Sequence, residues 1–99
     1  MSAYVIARIS VTNPDDYQIY AGQTVASAER HGGMFLVKGG PQTRLEGNSP
    51  DRHVIIRFDS QQAALDWYNS DEYQRILPIA LSSSERDIVV VDGFDPEEN

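Results

Sequence analysis

Cysteine is absent from this chain, which removes disulfide frameworks, thiolate metal sites and cysteine nucleophiles and suits a reducing cytosol. Basic residues are scarce: 8 Lys and Arg stand against 15 Asp and Glu, a net charge of -7. Nucleic-acid affinity rests on clustered cations that neutralise phosphates, so no nucleic-acid partner is expected. No apolar run approaches the roughly 18 residues of a membrane span. The opening MSAYVIARIS lacks the basic start, long apolar stretch and small-residue cleavage site of a secretory signal. A cytoplasmic protein off the membrane is the expectation. Histidine is limited to His31 and His53, which share no ligand spacing with each other or with nearby carboxylates, so no metal site is expected. The glycine fingerprints of dinucleotide and nucleoside triphosphate binding are missing, and no cofactor is expected. Ser82, Ser83 and Ser84 have no neighbouring histidine to make a nucleophile of any of them.

What is present reads as one domain. The 99 residues are 40% hydrophobic and 23% charged, an ordinary globular balance in a chain short enough for self-association to help its core. Val5, Ala7, Ile9 and Val11 alternate with Tyr4, Ile6, Arg8 and Ser10, the period of a strand with two different faces. Asn13 offers an N-cap, Pro14 suits the first helical position, and Asp15 and Asp16 complement the dipole of a helix. Tyr17, Tyr20, Ala21, Thr24 and Ala28 form its apolar stripe, which ends near His31 at Gly32-Gly33. A second strand runs over Met34–Lys38. Gly39-Gly40-Pro41 breaks it with a bulge or kink, and Gln42 to Leu45 resumes an extended course as a short hairpin arm. A third strand covers His53 to Phe58. Ser60 caps a helix that presents Ala64, Trp67 and Tyr68, and Ser70 caps a further segment with Tyr73, Ile76, Leu77 and Ala80 on one side and Pro78 as a bend. Ser82 to Arg86 reads as a polar connection, and Asp87 to Asp92 as a buried last strand.

The order βαββαβ is the split βαβ arrangement, an α+β fold with a four-stranded antiparallel sheet and both helices on one face. The helix-free face then receives Tyr4, Ile6, Arg8, His53, Ile55 and Arg57, joined by Leu36, Lys38, Val90 and Asp92. It is too apolar for open water, so a homodimer formed sheet to sheet is expected. The domain is placed at residues 1–94, with an acidic tail over 95–99.

Several blocks carry a resemblance to a known family: AYVIARISVTNPDDYQIY, GGMFLVKGG, LEG at Leu45 to Gly47, RHVIIRF, AALDWYNSDEYQ and the closing IVVVDG. In this order the sequence resembles the domain of unknown function 1330 family, small ferredoxin-like proteins of the dimeric α/β-barrel class. The resemblance implies that fold and no settled activity. The wider class includes small monooxygenases, haem-degrading enzymes and muconolactone isomerases, so fold alone licenses no chemistry. Lys38 stands where arginine is commoner in the family, and Ala80 where a basic residue is often found.

For a site, Lys38-Gly39-Gly40 offers an ammonium and backbone N–H groups to an anion, or else simply ends a strand. Tyr20, Phe35, Trp67 and Tyr73, with Tyr17 and Tyr68, either line an aromatic pocket between helices and sheet or pack as core. The ligand-binding set expected is Tyr20, Phe35, Lys38, Trp67 and Tyr73. No catalytic residue is assigned; Glu46 and Asp92 are carboxylates in the solvated settings of a turn and a strand end. Alternation puts Phe35 and Val37 on the helix side and Leu36 and Lys38 opposite, so Lys38 reaches the pocket only if the Gly39-Gly40 kink re-aims it and otherwise belongs to the dimer. Two functions stay open: a protein that binds or transforms a small aromatic or anionic molecule without a cofactor, and a non-catalytic dimerisation or stress-related module.

Overall fold

The computed structural model describes residues 1–96. Glu97 and Glu98 of the expected tail lie outside the described residues. Strand β1 (Ala3–Val11) leads into α1 (Pro14–Glu29), then β2 (Met34–Lys38), β3 (Arg52–Phe58), α2 (Gln61–Tyr68), α3 (Asp71–Ser83) and β4 (Ser84–Asp92). The strands form one antiparallel sheet in the order β2-β3-β1-β4. This is the ferredoxin-like α+β fold, with its second helical crossover divided into α2 and α3.

The helix boundaries follow local chemistry. The Asn13 side chain accepts from the Asp16 amide, Ser60 from Ala63 and Ser70 from Tyr73. Each cap satisfies a donor that the first helical turn leaves free. Pro78 lies inside α3 without ending it. After α1, Gly32 takes a positive φ of 83°, the left-handed turn that glycine enters without a Cβ clash. Gly33 has another reason: a Cβ there would sit 2.8 Å from the Phe58 ring and 3.0 Å from the Ala28 carbonyl.

The core joins the inward residues of the sheet to the helices. Val5, Ala7, Ile9, Val54, Ile56 and Phe58 pack in one cluster with Tyr17, Tyr20, Ala28, Ala64, Trp67 and Tyr73. Trp67 and Phe58 are almost wholly buried, each worth about 1.5–3 kcal/mol of burial or somewhat more.

Three strand-level expectations change. First, the register shift in β2 falls between Phe35 and Val37, not at the glycines. Phe35 pairs with Ile56, Val37 with Ile55 and Lys38 with Val54. Leu36 takes up the extra position, so Val37 turns to the helix-free face and Lys38 to the helix side, the reverse of strict alternation. Second, residues 39–51 form no strand, and the expected arm at Gln42 to Leu45 is loop. Third, β4 begins at Ser84. The amides of Thr12 and Asn13 both donate to the Ser83 carbonyl, which ties the end of α3 to the end of β1 and sets Ser84 opposite Val11. Val90 then pairs with Val5 and Asp92 with Ala3, which places both on the helix side and leaves Val89 and Val91 on the open face. Ile88 to Val91 is apolar at every position, so alternation carried no phase there.

Candidate functional site

One cross-strand row defines the site. Ile9 pairs with Arg52 on one side and Arg86 on the other, so two arginines flank an isoleucine on the helix-facing side of the sheet. Above them α1 presents Tyr17 and Tyr20, three residues apart and therefore on one helix face. The Arg52 guanidinium carbon lies 5.6 Å from the Tyr17 ring centre, and that of Arg86 lies 5.2 Å from the Tyr20 ring centre. Both are within cation–π range. Lys38, re-aimed by the bulge at Leu36, lines the same cleft with Phe35. Gly39 makes room: its φ is 68°, and a Cβ there would fall onto Arg52 Nη1.

The polar centre is a triangle. The hydroxyls of Tyr20 and Tyr73 lie 2.7 Å apart. Arg86 donates from Nη1 to the Tyr20 oxygen at 3.1 Å and from Nη2 to the Tyr73 oxygen at 2.9 Å. Two hydroxyls hold two hydrogens, and only one can bridge the pair. Arg86 accepts nothing, so the other phenolic hydrogen has no acceptor among the described residues. Among the described residues the Nε atoms of Arg52 and Arg86 are buried without a partner as well. Leaving such donors unmet costs about 1–3 kcal/mol each.

Charge tells the same story. Arg8, Arg30 and Arg44 form ion pairs with Asp87, Glu72 and Asp51. Among the described residues Lys38, Arg52 and Arg86 form none, and neither do Arg57 and Arg75, but only the first three meet in one cleft. Burial raises the Tyr73 pKa above its usual value, with Tyr20 adding to the rise and Arg86 opposing it. Tyr17 is raised too, by burial first and Tyr20 second, against Arg52 and Arg86. For Arg86, burial works against the charge, but Tyr20 and Tyr73 outweigh it and the pKa ends above the ordinary guanidinium value. At neutral pH Tyr17 and Tyr73 are therefore neutral donors, and Arg86 stays cationic.

Of the residues expected from sequence, Tyr20, Phe35, Lys38 and Trp67 line this one cleft. Tyr73 does not line it; fully buried, it touches the cleft through the Tyr20 hydroxyl. Trp67 is a wall more than a ligand group, since its Nε1 donates to Ser27 Oγ at 3.1 Å and Ser27 Oγ donates on to the Thr24 carbonyl. Arg52 and Arg86 were missed. Arg52 fell just outside the expected third strand and Arg86 in the expected connection, so neither was given a face. Their pairing opposite Ile9 was the signal that the longer strands would have supplied. Ala80 is buried in α3, and the charge it lacks is not replaced there. Among the described residues no His, Asp and Glu cluster suited to a metal occurs, and no helix is long and apolar enough to cross a membrane.

The cleft thus collects donors and positive charge over an apolar floor, and among the described residues no carboxylate or imidazole lines it. Chemically it can neutralise an anion or steady developing negative charge on oxygen. Its volume is about 30 Å³, room for roughly one water. Lys38 and Arg52, two long side chains, are among its lining residues.

Residues 2–94 match the model of the family described as Domain of unknown function (DUF1330). No curated protein matches the chain. Among solved structures, a protein of unknown function from Rhodopseudomonas palustris superposes with a TM-score of 0.79 at 14% identity, covering 96% of this chain and 84% of that one. A protein from Jannaschia sp. CCS1, described as dimeric, ferredoxin-like and of unknown function, gives 0.78 at 11% identity over 94% and 100%. SnoaB, a cofactor-independent oxygenase from Streptomyces nogalater, gives 0.70 at 15% identity over 95% and 94%. At such identities the likeness is one of fold.

Proposed function

The chain belongs to the DUF1330 family, whose description assigns no activity, and from that premise we propose that it is a homodimer binding a small carboxylate-type anion in the cleft between α1 and the sheet. The observation that carries this reading is the convergence of Lys38, Arg52 and Arg86 without an ion-pair partner among the described residues, two of them with buried and unmet Nε donors. An anion supplies the missing acceptors. Arg52 and Lys38 meet its charge, the spare phenolic hydrogen of the Tyr20–Tyr73 pair meets a second oxygen, and Phe35 and Trp67 shape the apolar wall. Binding must widen the cleft, which Lys38 and Arg52 accomplish by swinging outward.

Dimerisation is supported by the helix-free face. It carries half-buried Ile6 and Ile55 together with exposed Val37, Val89 and Val91, a contiguous apolar area that a second copy would cover. The dimeric Jannaschia neighbour is consistent with it. Light scattering at micromolar concentration is expected to give twice the 11.1 kDa chain mass, and Ile55→Lys to return the monomer.

Titration of Trp67 fluorescence tests the ligand. Small carboxylates are expected to change the emission, and their amides to leave it unchanged. Arg52→Gln is expected to abolish the response while the fold, followed by circular dichroism, is retained. Silence toward every carboxylate overturns the reading. The narrow cleft gives the non-catalytic module its one specific support, and that silence would favour it.

A further inference from the structure

Next to the cationic cleft lies a second space of different chemistry. Between α2 and β4 an apolar groove of about 210 Å³ is lined by Ala64, Leu65, Tyr68 and Val90 together with Val5, Trp67 and Ile88. Those last three residues line the cationic cleft as well, so the two spaces adjoin across them. Strand β4 runs through both. Arg86, Ile88 and Val90 are successive inward residues, paired with Ile9, Ala7 and Val5, and each lies about 7 Å from the next along a strand. A ligand held at Arg86 by its charged end therefore has its other end over Ile88 and Val90. An apolar cavity of about 150 Å³ takes a benzene ring, so the groove has room for a ring on a short arm.

We propose that the natural ligand is an amphipathic carboxylate of the arylalkyl or alkyl class, its head on the Arg52–Arg86–Lys38 cluster and its apolar body in the groove between α2 and β4. This rests on the anion-binding reading and adds the identity of the body. The cations account for the charge, and the groove accounts for the apolar body attached to it. Neither space alone defines the class: the cleft is too small for more than a head group, and the groove offers no anchor for a charge.

The test is calorimetric titration of the full chain with 3-phenylpropanoate, acetate, 3-phenylpropanol and 3-phenylpropylamine. The expected result is that 3-phenylpropanoate binds about ten- to a hundredfold more tightly than acetate, the gain from burying a phenyl-sized group, and that alcohol and amine bind weakly or not at all. Ala64→Leu fills the groove from the helix side. Leu65→Trp does so from a position 41% exposed, where a larger side chain leaves folding intact. Both are expected to erase the advantage over acetate and to leave acetate binding unchanged. Arg52→Gln is expected to remove both acids. If 3-phenylpropanoate binds no better than acetate, or the groove variants leave its affinity unchanged, the groove assignment is overturned while the anion site stands. If the alcohol binds as tightly as the acid, the groove is an apolar site independent of the cations and the assignment is likewise overturned. Failure of every carboxylate to bind removes the anion reading itself, and this inference with it.

Discussion

The two halves of the helix–sheet interior are built on opposite terms. Beneath α2 and α3, Trp67 stacks against Phe58 at 5.6 Å and Tyr73 at 4.3 Å between ring centres, and its indole N–H is met by Ser27, whose hydroxyl is met in turn by Thr24. Beneath the start of α1, cations lie against tyrosine rings with donors left over. A half with its polar groups matched contributes stability; a half with surplus donors gives up some stability and keeps them for a ligand. The two meet at the Tyr20–Tyr73 hydroxyl pair, where the packed side ends and the charged side begins.

If that division holds, the largest stability loss comes from the packed half. Trp67→Ala is expected to cost about 3–5 kcal/mol, the usual range for emptying a large aromatic site in a core, measured by urea unfolding with circular dichroism. A loss near zero would break the comparison, since it would make the aromatic stack soft. Two of the glycines that admit a neighbour, Gly33 and Gly39, sharpen it. Gly33→Ala pushes a Cβ against the Phe58 ring and the Ala28 carbonyl, neither of which can yield easily, and is expected to cost about 1–3 kcal/mol. Gly39→Ala meets instead a guanidinium that can move, so its cost is the positive φ, about 1–2 kcal/mol. It is also expected to weaken carboxylate binding by displacing Arg52, where Gly33→Ala leaves binding alone. Equal binding in both variants would show that Gly39 has no tie to the site.

The difference between the halves also explains what could be read without the structure. The order of elements, the three N-caps and the inward faces of β1 and β3 were legible because each rests on a local signal: a capping residue, or clean alternation of apolar with polar side chains. The aromatic stripe of α1 and Trp67 were legible for the same reason. The edge strands were not. In β2 one bulged residue reversed the facing of Val37 and Lys38, and a bulge is set by pairing with β3, which local sequence does not show. In β4, Ser84 to Arg86 is polar yet paired along β1, and the valines beyond it have no polar partner to fix a phase. Strict alternation therefore left Lys38 open between the pocket and the helix-free face, and Arg86 was given no face. FLVKGG is a strand end whose bulge turns the lysine inward and whose first glycine makes room for Arg52.

The smallest effect lies at the seam, and pH reads it. Burial, with Tyr20 adding to it, raises the Tyr73 pKa above its ordinary 10.0, so on raising the pH the unfolded chain sheds that proton before the folded one does. The folded state then holds more protons than the unfolded state, and stability falls with rising pH. The contribution is whole below about pH 10 and is lost progressively above it. Tyr73→Phe removes the hydroxyl with its bonds to Tyr20 and Arg86, along with the surplus hydrogen, and is expected to cost about 1–2 kcal/mol at neutral pH. It is also expected to flatten the alkaline decline without abolishing it, because the Tyr17 pKa is raised as well. Urea unfolding of both proteins from about pH 8 to pH 11 separates the two contributions. Parallel declines would mean that Tyr73 does not hold its proton against Arg86, and the seam would then belong to the charged half.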